Sequence, residues 1–396
     1  MLKTPKTTHP SWIEVDLIQF KKNIQILRQH TSPSLLCLPV KANAYGHGLC
    51  VMAKAAVEAG VDYLAVAHLQ EGILLRKSGI AIPILVLGAI HEDQITDLIH
   101  FKLEFTISSN YKADLVAAKC KNAQEKARVH LEIDTGMQRT GVRPASALSL
   151  FSHVESLGCF TTVGIYSHFA TANTRDDPFT LKQIDLFCNL LKNPVFSHTR
   201  LIRHIANSGG VCFYKESYLD MVRPSLLTLG YPPQNAPDIF KNIAPCFSLK
   251  SKVSYFKVVE KGCGISYNHT YITKKQTRIV TIPIGYGDGY RRALSNIGSV
   301  LIRGMKFPIA GTICMDQLMV DVGENEIHVG DEVVLIGKQG NEEISAQNIA
   351  ELCNTNIYEV LCFFNDRIPR LYKTEKEQSL LLEEVKQLPP SSISFL

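Results

Sequence analysis

The chain has 396 residues, of which 45% are apolar and 20% charged, with a formal net charge of +5. That length exceeds one ordinary domain and can bury a large core, while Lys and Arg scattered among acids leave no basic stripe for nucleic acid. The longest apolar run, Ala81 to Ile90, is interrupted by Pro83 and is too short to span a bilayer. The polar stretch Met1 to Ile13 lacks the apolar centre of a secretory signal. Eleven well-spread cysteines without a C-x-x-C pair fit reduced thiols in a cytoplasmic protein better than a disulfide framework or a metal site.

A helix is expected from Leu17 onward. From Ser34 to Arg223, short apolar runs then alternate with helical patterns. The runs are Ser34–Val40, Val61–Ala65, Ile82–Leu87, Glu104–Ile107, Arg128–Ile133, Thr162–Ser167, Ile202–Ala206 and Leu219–Val222. The clearest helices are Val51–Ala59, Glu92–His100, Ala113–Lys126, Ala145–Ser156 and Leu181–Leu191. Alternating strand and helix predicts a parallel sheet. About eight such units predict an α/β fold of the closed (β/α)8 TIM type, and no G-x-G-x-x-G follows the first strand to favour an open doubly wound sheet.

Tyr231-Pro232-Pro233-Gln234-Asn235-Ala236-Pro237 reads as a linker. Beyond it strand follows strand: Ser248–Val259, Thr277–Ile284, Ser299–Ile302, Leu318–Val322 and Glu332–Ile336. The expected organisation is a barrel domain over 1–235, a mostly β C-terminal domain over 236–388, and a flexible tail over 389–396 that contains Pro389-Pro390-Ser391-Ser392.

Chemistry in a parallel barrel gathers at the C-terminal strand ends. Lys41 closes the first strand and enters Ala42-Asn43-Ala44-Tyr45-Gly46-His47-Gly48. A partly desolvated amine there can attack a carbonyl and hold an aldehyde cofactor such as pyridoxal phosphate as a Schiff base. The alternative is a strand-capping lysine whose amine reaches solvent. Asn207-Ser208-Gly209 after the seventh strand is either a helix cap or a phosphate dock. His168 after the sixth is either a catalytic group or a satisfied core histidine. Arg223 after the eighth either meets solvent or donates to the ring nitrogen of a bound pyridine, which it would keep unprotonated.

Taken together the chain resembles the alanine racemase family, the pyridoxal-phosphate enzymes with a barrel and a β domain. The resemblance runs from Trp12-Ile13-Glu14-Val15-Asp16-Leu17 to Arg367-Ile368-Pro369-Arg370. It is carried by Val40–Gly48 and by the β-domain motifs Ser266-Tyr267, Pro283-Ile284-Gly285-Tyr286-Gly287-Asp288-Gly289-Tyr290, Ile313-Cys314-Met315-Asp316-Gln317 and Tyr358-Glu359-Val360. It implies Lys41 as the Schiff-base lysine and one base, with Tyr267 as the opposite base, supplied by the partner of a homodimer. It implies Tyr45, Asn207, Ser208, Ser225 and Tyr358 at the cofactor phosphate and Arg223 at the pyridine nitrogen. His168 then lies between Arg223 and Tyr267. Arg139 and the second subunit's Met315 fall at the substrate, with Tyr286 near the entrance and Asp316 in support.

The chain also departs from the family. Glu132 stands where many members carry a carbamylated lysine, and its side chain is expected to supply that negative charge directly to Arg139; the alternative is an outward-facing strand residue. Gln138 and Ser225 stand at glycine positions. Asn173 and Thr312 replace an acid and an arginine, which predicts a less polarised entrance. The function implied is alanine racemisation for cell-wall peptide, with alanine as small-molecule substrate and neither a nucleic-acid nor a membrane partner. A broader alanine/serine racemase and a non-catalytic pyridoxal-phosphate carrier are the alternatives, and Tyr267 and the β domain argue against the carrier.

Overall fold

Short runs that are apolar on both faces belong in a parallel sheet covered by helices, and the eight expected ones pair in that way. The computed structural model describes residues 8–120, 126–197 and 200–374, so the tail expected over 389–396 lies outside the described residues. The chain divides into two compact units, one comprising residues 19–44 and 49–245, the other residues 8–18, 45–48 and 246–374 within those described. After β1 (Trp12–Asp16), the first unit contains β2 (Leu35–Pro39), β3 (Tyr63–Val66), β4 (Ile84–Val86), β5 (Glu104–Ile107), β6 (Ala127–Glu132), β7 (Phe160–Tyr166), β8 (Ile202–His204) and β9 (Met221–Val222). They form one parallel sheet in the order β8-β7-β6-β5-β4-β3-β2-β9. Backbone bonds from Asp220 N–H to Arg203 O (3.0 Å) and from Arg223 N–H to Ala206 O (2.8 Å) link its two ends. The result is a (β/α)8 barrel. Every residue of β3 and β4 is buried, as expected of strands sealed on both faces.

The helices fall between the strands, at Leu49–Glu58, Leu69–Lys77, Ile95–His100, Asn110–Cys120, Ala147–Ser156, Pro178–Leu191, Ser208–Phe213 and Leu226–Leu229. Leu17–Thr31 forms the expected first helix. The expected helix Ala113–Lys126 is described only to Cys120, and residues 121–125 lie outside the described set.

The second unit is mostly β. Its larger sheet runs Met305–Pro308, Ser299–Ile302, Glu332–Gln339, Phe247–Lys252, β1 and Arg370–Lys373, with Glu342–Ile344 on the side of Glu332–Gln339. A smaller sheet comprises Tyr255–Val259, Thr277–Ile282 and Leu318–Gly323. The single strand expected over Ser248–Val259 is two strands. Val253 N–H pairs with Asp331 O and Ser254 N–H with Thr281 O, both at 2.9 Å, so the chain changes sheets at this dipeptide. Such a switch leaves the apolar alternation unbroken, which hides it in the sequence. β1 joins this unit, antiparallel to Phe247–Lys252 and parallel to Arg370–Lys373.

Residues 45–48, although early in the chain, also belong to the second unit. Arg370 fastens them. Its buried guanidinium donates to Gly46 O (3.1 Å), Asn365 O (3.0 Å), Ile368 O (2.9 Å) and Phe364 O (2.9 Å), and Tyr372 Oη–H donates to His47 O at 3.1 Å. Gly46 has φ +80°, and a Cβ there would lie 2.1 Å from Leu361 O, so no side chain fits. Replacing the guanidinium removes the donor for four carbonyls at once. We expect Arg370→Met to lower unfolding free energy by about 3 kcal/mol or more, read from urea transitions. A loss below about 1 kcal/mol would mean that other donors satisfy those carbonyls.

Candidate active site

The C-terminal rim of the barrel collects the predicted groups of the first unit. Lys41 is half-buried and follows β2 after Val40. The four residues after it, Ala42, Asn43, Ala44 and Tyr45, all have φ between +50° and +55°, a left-handed turn made of L-residues that costs roughly 1–2 kcal/mol for each. Side chains hold it. Glu71 Oε1 accepts Ala42 N–H (2.7 Å), while Glu71 Oε2 accepts Ala67 N–H (2.8 Å), and Asn43 Oδ1 accepts Leu49 N–H (2.7 Å). Strain maintained by surrounding bonds is typical of functional sites.

Arg223 does not meet solvent. It is 4% exposed and donates to Ser167 O at 2.8 Å and to Nδ1 of His204, and it approaches His168 Nδ1 at 3.4 Å. Its guanidinium lies 5.3 Å from the centre of the Tyr166 ring, a favourable cation–π position. Burial, followed by the charges of Arg223, Arg139 and Lys41, pushes the His168 imidazole down to about 3, so it is neutral at physiological pH.

Asn207 does cap the helix Ser208–Phe213, its Oδ1 accepting Gly210 N–H at 3.0 Å. The cap and the phosphate dock are compatible, because the first N–H groups of any helix find no acceptor within it. Ser208 Oγ accepts Ser225 N–H at 2.9 Å, so the backbone N–H of Ser225 is already engaged and its hydroxyl is the group left to offer. Gln138 sits at φ +55°, a conformation that a glycine at this position would adopt without strain.

Glu132 ends β6 and is 5% exposed, so it is not an outward-facing strand residue. Its Oε1 accepts from Thr140 Oγ1 at 2.9 Å. The Arg139 side chain is exposed. Burial pushes the Glu132 carboxyl up, and Thr140 and the charges of Arg139 and Arg223 offset part of that.

The remaining predicted residues lie in the second unit. The rings of Tyr45 and Tyr358 are 5.8 Å apart. Tyr267 is 66% and Met315 53% exposed. Thr312 Oγ1 donates to Tyr267 O at 3.2 Å, the structural use of one of the departures noted above. Tyr286 and Met315 share one surface, because Tyr286 N–H bonds to Cys314 O (3.1 Å) and Gly287 N–H to Met315 O (2.8 Å). A Cβ at Gly285 would lie 2.2 Å from Cys314 O, so glycine is required for this approach. Arg367 bridges Asp316 (2.7 Å) and the buried Asp288 (3.2 Å). Sequence reasoning places His204 at the end of the seventh strand without a role, and it missed the buried Glu104 and His130 as members of the rim's support. The available signal was Arg128, His130 and Glu132 at a spacing of two in an otherwise apolar strand.

A closed barrel with an amine after its first strand and a buried arginine after its last, followed by a β domain, defines a two-domain barrel enzyme. The alanine racemase N-terminal domain matches residues 15–233, and the alanine racemase C-terminal domain matches residues 246–372. The alanine racemase of Halothermothrix orenii is 40% identical over 377 residues, covering 93% of this chain and 98% of that one. That of Symbiobacterium thermophilum is 40% identical over 368 residues, covering 92% and 98%. Among solved structures, alanine racemase from the D-cycloserine-producing Streptomyces lavendulae superposes with a TM-score of 0.88 at 32% identity, covering 94% and 100% of the two chains. The Clostridium difficile 630 enzyme gives 0.87 at 36%, covering 93% and 96%. The chain belongs to the alanine racemase family and is an amino-acid racemase. Among the described residues no helix is long and apolar enough to cross a membrane.

The neutral His168 has a consequence for stability. An unfolded histidine takes a proton below about pH 6.5, whereas the folded ring does so only near 3. The unfolded state therefore binds more protons across this window, and stability falls as pH drops through it. Histidine NMR should show the His168 ring taking no second proton between about pH 8 and about pH 5. A midpoint near 6.5 would mean the ring is solvated.

Proposed function

We propose that this cytoplasmic enzyme interconverts L-alanine and D-alanine through two opposed bases, with pyridoxal 5'-phosphate as cofactor and a homodimer as the working assembly, and that it supplies D-alanine for peptidoglycan. The observation that carries this reading is the buried, hydrogen-bonded Arg223 at the rim that also bears Lys41 and the Ser208 helix start. The donor set suits the cofactor. The Lys41 amine is complementary to its aldehyde, and the first N–H groups of the Ser208 helix with the hydroxyls of Ser208 and Ser225 suit its phosphate. Arg223, which keeps its proton, suits an acceptor-only ring nitrogen. Tyr45 and Tyr358, whose rings are 5.8 Å apart, are the further residues that the family resemblance assigns to the phosphate.

When bound, the cofactor supplies the conjugated electron sink that makes the substrate Cα–H acidic. The protein's own groups do the rest. The neutral Lys41 amine takes or returns the Cα proton on one face, and the partner subunit's Tyr267 does so on the other. Arg139 pairs with the substrate carboxylate through charge-assisted bonds, and Glu132 lends it negative charge through space. The partner subunit's Met315 lies against the substrate. The high exposure of Tyr267 and Met315 in the single chain fits side chains that are covered only in the dimer. His168 stays neutral beside Arg223 and does not compete as a proton donor. Tyr286 borders the entrance, and Asp316 steadies its neighbour Met315 through Arg367.

With L-alanine in deuterium oxide, proton NMR and chiral analysis should show Cα exchange accompanied by inversion. Exchange without D-alanine would refute the two-base reading. In the same assay Glu132→Gln should raise KM for alanine several-fold with kcat nearly kept, and an unchanged KM would remove its role.

The shared site has a separate test. Lys41→Ala and Tyr267→Phe are each expected to be inactive. Mixed in equal amounts and allowed to exchange subunits, they should regain about a quarter of wild-type activity, because half the dimers are hybrids with one intact site. No recovery despite proven subunit exchange would put both bases in one chain.

A further inference from the structure

Barrel interiors are ordinarily layered with branched apolar side chains, but here a file of polar groups runs lengthwise through the core. Glu104 opens β5, His130 lies in the middle of β6, His204 ends β8 and Arg223 follows β9. The file therefore runs from the N-terminal face to the C-terminal rim. Glu104, His130 and His204 are at most 1% exposed, and Arg223 is 4% exposed. Glu104 Oε1 accepts Nε (3.0 Å) and Nη2 (2.7 Å) of Arg128, whose side chain is 47% exposed. Glu104 Oε2 meets His130 Nε2 at 2.8 Å. His130 Nδ1 meets His204 Nε2 at 3.0 Å, and His204 Nδ1 meets Arg223 Nη1.

Proton counting leaves one arrangement. Arg223 can only donate, so His204 Nδ1 must present its lone pair. The single proton of a neutral His204 is then on Nε2, and it needs the lone pair of His130 Nδ1. His130 accordingly carries its proton on Nε2, where the Glu104 carboxylate accepts it. If His130 were doubly protonated, its Nδ1–H would face His204 Nε2, the proton of His204 would move to Nδ1, and two donors would meet at Arg223. Burial, followed by the charge of Arg223, holds His204 well below the usual imidazole range. Burial pushes the Glu104 carboxyl up, but the bonds from His130 and Arg128 more than offset it and keep it ionised.

The surrounding structure is shaped to this file. Position 164 of β7 is beside His130 in register and is glycine. A Cβ there would lie 2.4 Å from Nδ1 and 2.7 Å from Cε1 of the imidazole. Tyr166 stacks on His204 at 4.9 Å with an interplanar angle of 7°, and its hydroxyl bonds to Thr106 Oγ1 at 2.8 Å.

We propose that Glu104 is a positioning residue for Arg223: acting through His130 and His204, it fixes which ring nitrogens carry protons, so that the rim arginine always faces a lone pair and is held in one orientation. Its catalytic consequence rests on Arg223 serving the cofactor ring, as read above, whereas the tautomers themselves do not.

The test uses holoenzyme labelled with 15N-histidine at neutral pH, with long-range 1H–15N NMR signals assigned by replacing His130 and His204 in turn. Both rings should be neutral with the proton on Nε2. A proton on Nδ1 of either ring, or a second proton on His130, overturns the proposal even if the Glu104 variant does not fold. Glu104→Gln keeps the shape but removes the charge. It should give mixed histidine tautomers and lower kcat by about tenfold, with KM for L-alanine within about twofold. Wild-type kcat with unchanged tautomers overturns the proposal. Gly164→Ala displaces the His130 ring without touching Glu104 and should lower kcat in the same way, and a wild-type kcat there also counts against it. A wild-type protein with the expected tautomers but no racemisation would instead refute the reading of the site.

Discussion

A guanidinium taken out of water must recover its hydration from the protein, and the barrel is arranged around that requirement. Arg223 cannot shed its proton to escape the cost. Its surroundings therefore supply a backbone carbonyl, an imidazole lone pair and an aromatic face. Removing a buried ion's partners is far costlier than replacing the whole set. The strands that carry those partners are consequently tied to one another by chemistry as well as by packing. Burial, reinforced by the same positive charge, keeps the nearby His168 neutral, so desolvation and one buried cation together set the geometry and the protonation of the rim.

The second unit repeats the device for a different purpose. Arg370 is also buried, but it satisfies carbonyl oxygens rather than a site. It converts residues 45–48 and 364–368 into one assembly around glycine at position 46. Planar, multiply donating arginines are suited to such work in a way that a lysine's compact ammonium is not. The Arg367 bridge to Asp316 and Asp288 is a milder form of this, holding the Met315 turn from its exposed side.

Much of the barrel was legible because strands buried on both faces leave continuous apolar runs, and the eight runs fall within a few residues of the observed strands. The rim residues were legible for a related reason, since chain order and strand ends together specify where they must cluster. Other features were not legible. Ala42-Asn43-Ala44-Tyr45 contains no glycine, so its composition does not announce a left-handed turn that depends on the distant Glu71 carboxylate as well as on the amide of Asn43. The change of sheet at Val253-Ser254 leaves the apolar pattern intact. The bond that Glu132 accepts from Thr140 was not foreseen. The polar file was hidden because alternating polar residues on a strand ordinarily mean a solvated face, whereas on β6 that face is the barrel interior.

The vacancy at position 164 has an evolutionary side. A methyl group there and an imidazole at position 130 compete for the same space, so neither site can drift alone. Among descendants of this sequence the two should covary, a bulkier residue on β7 arriving only in company with a smaller one on β6. Lineages that make the exchange would have to present an acceptor to their rim arginine by some other route.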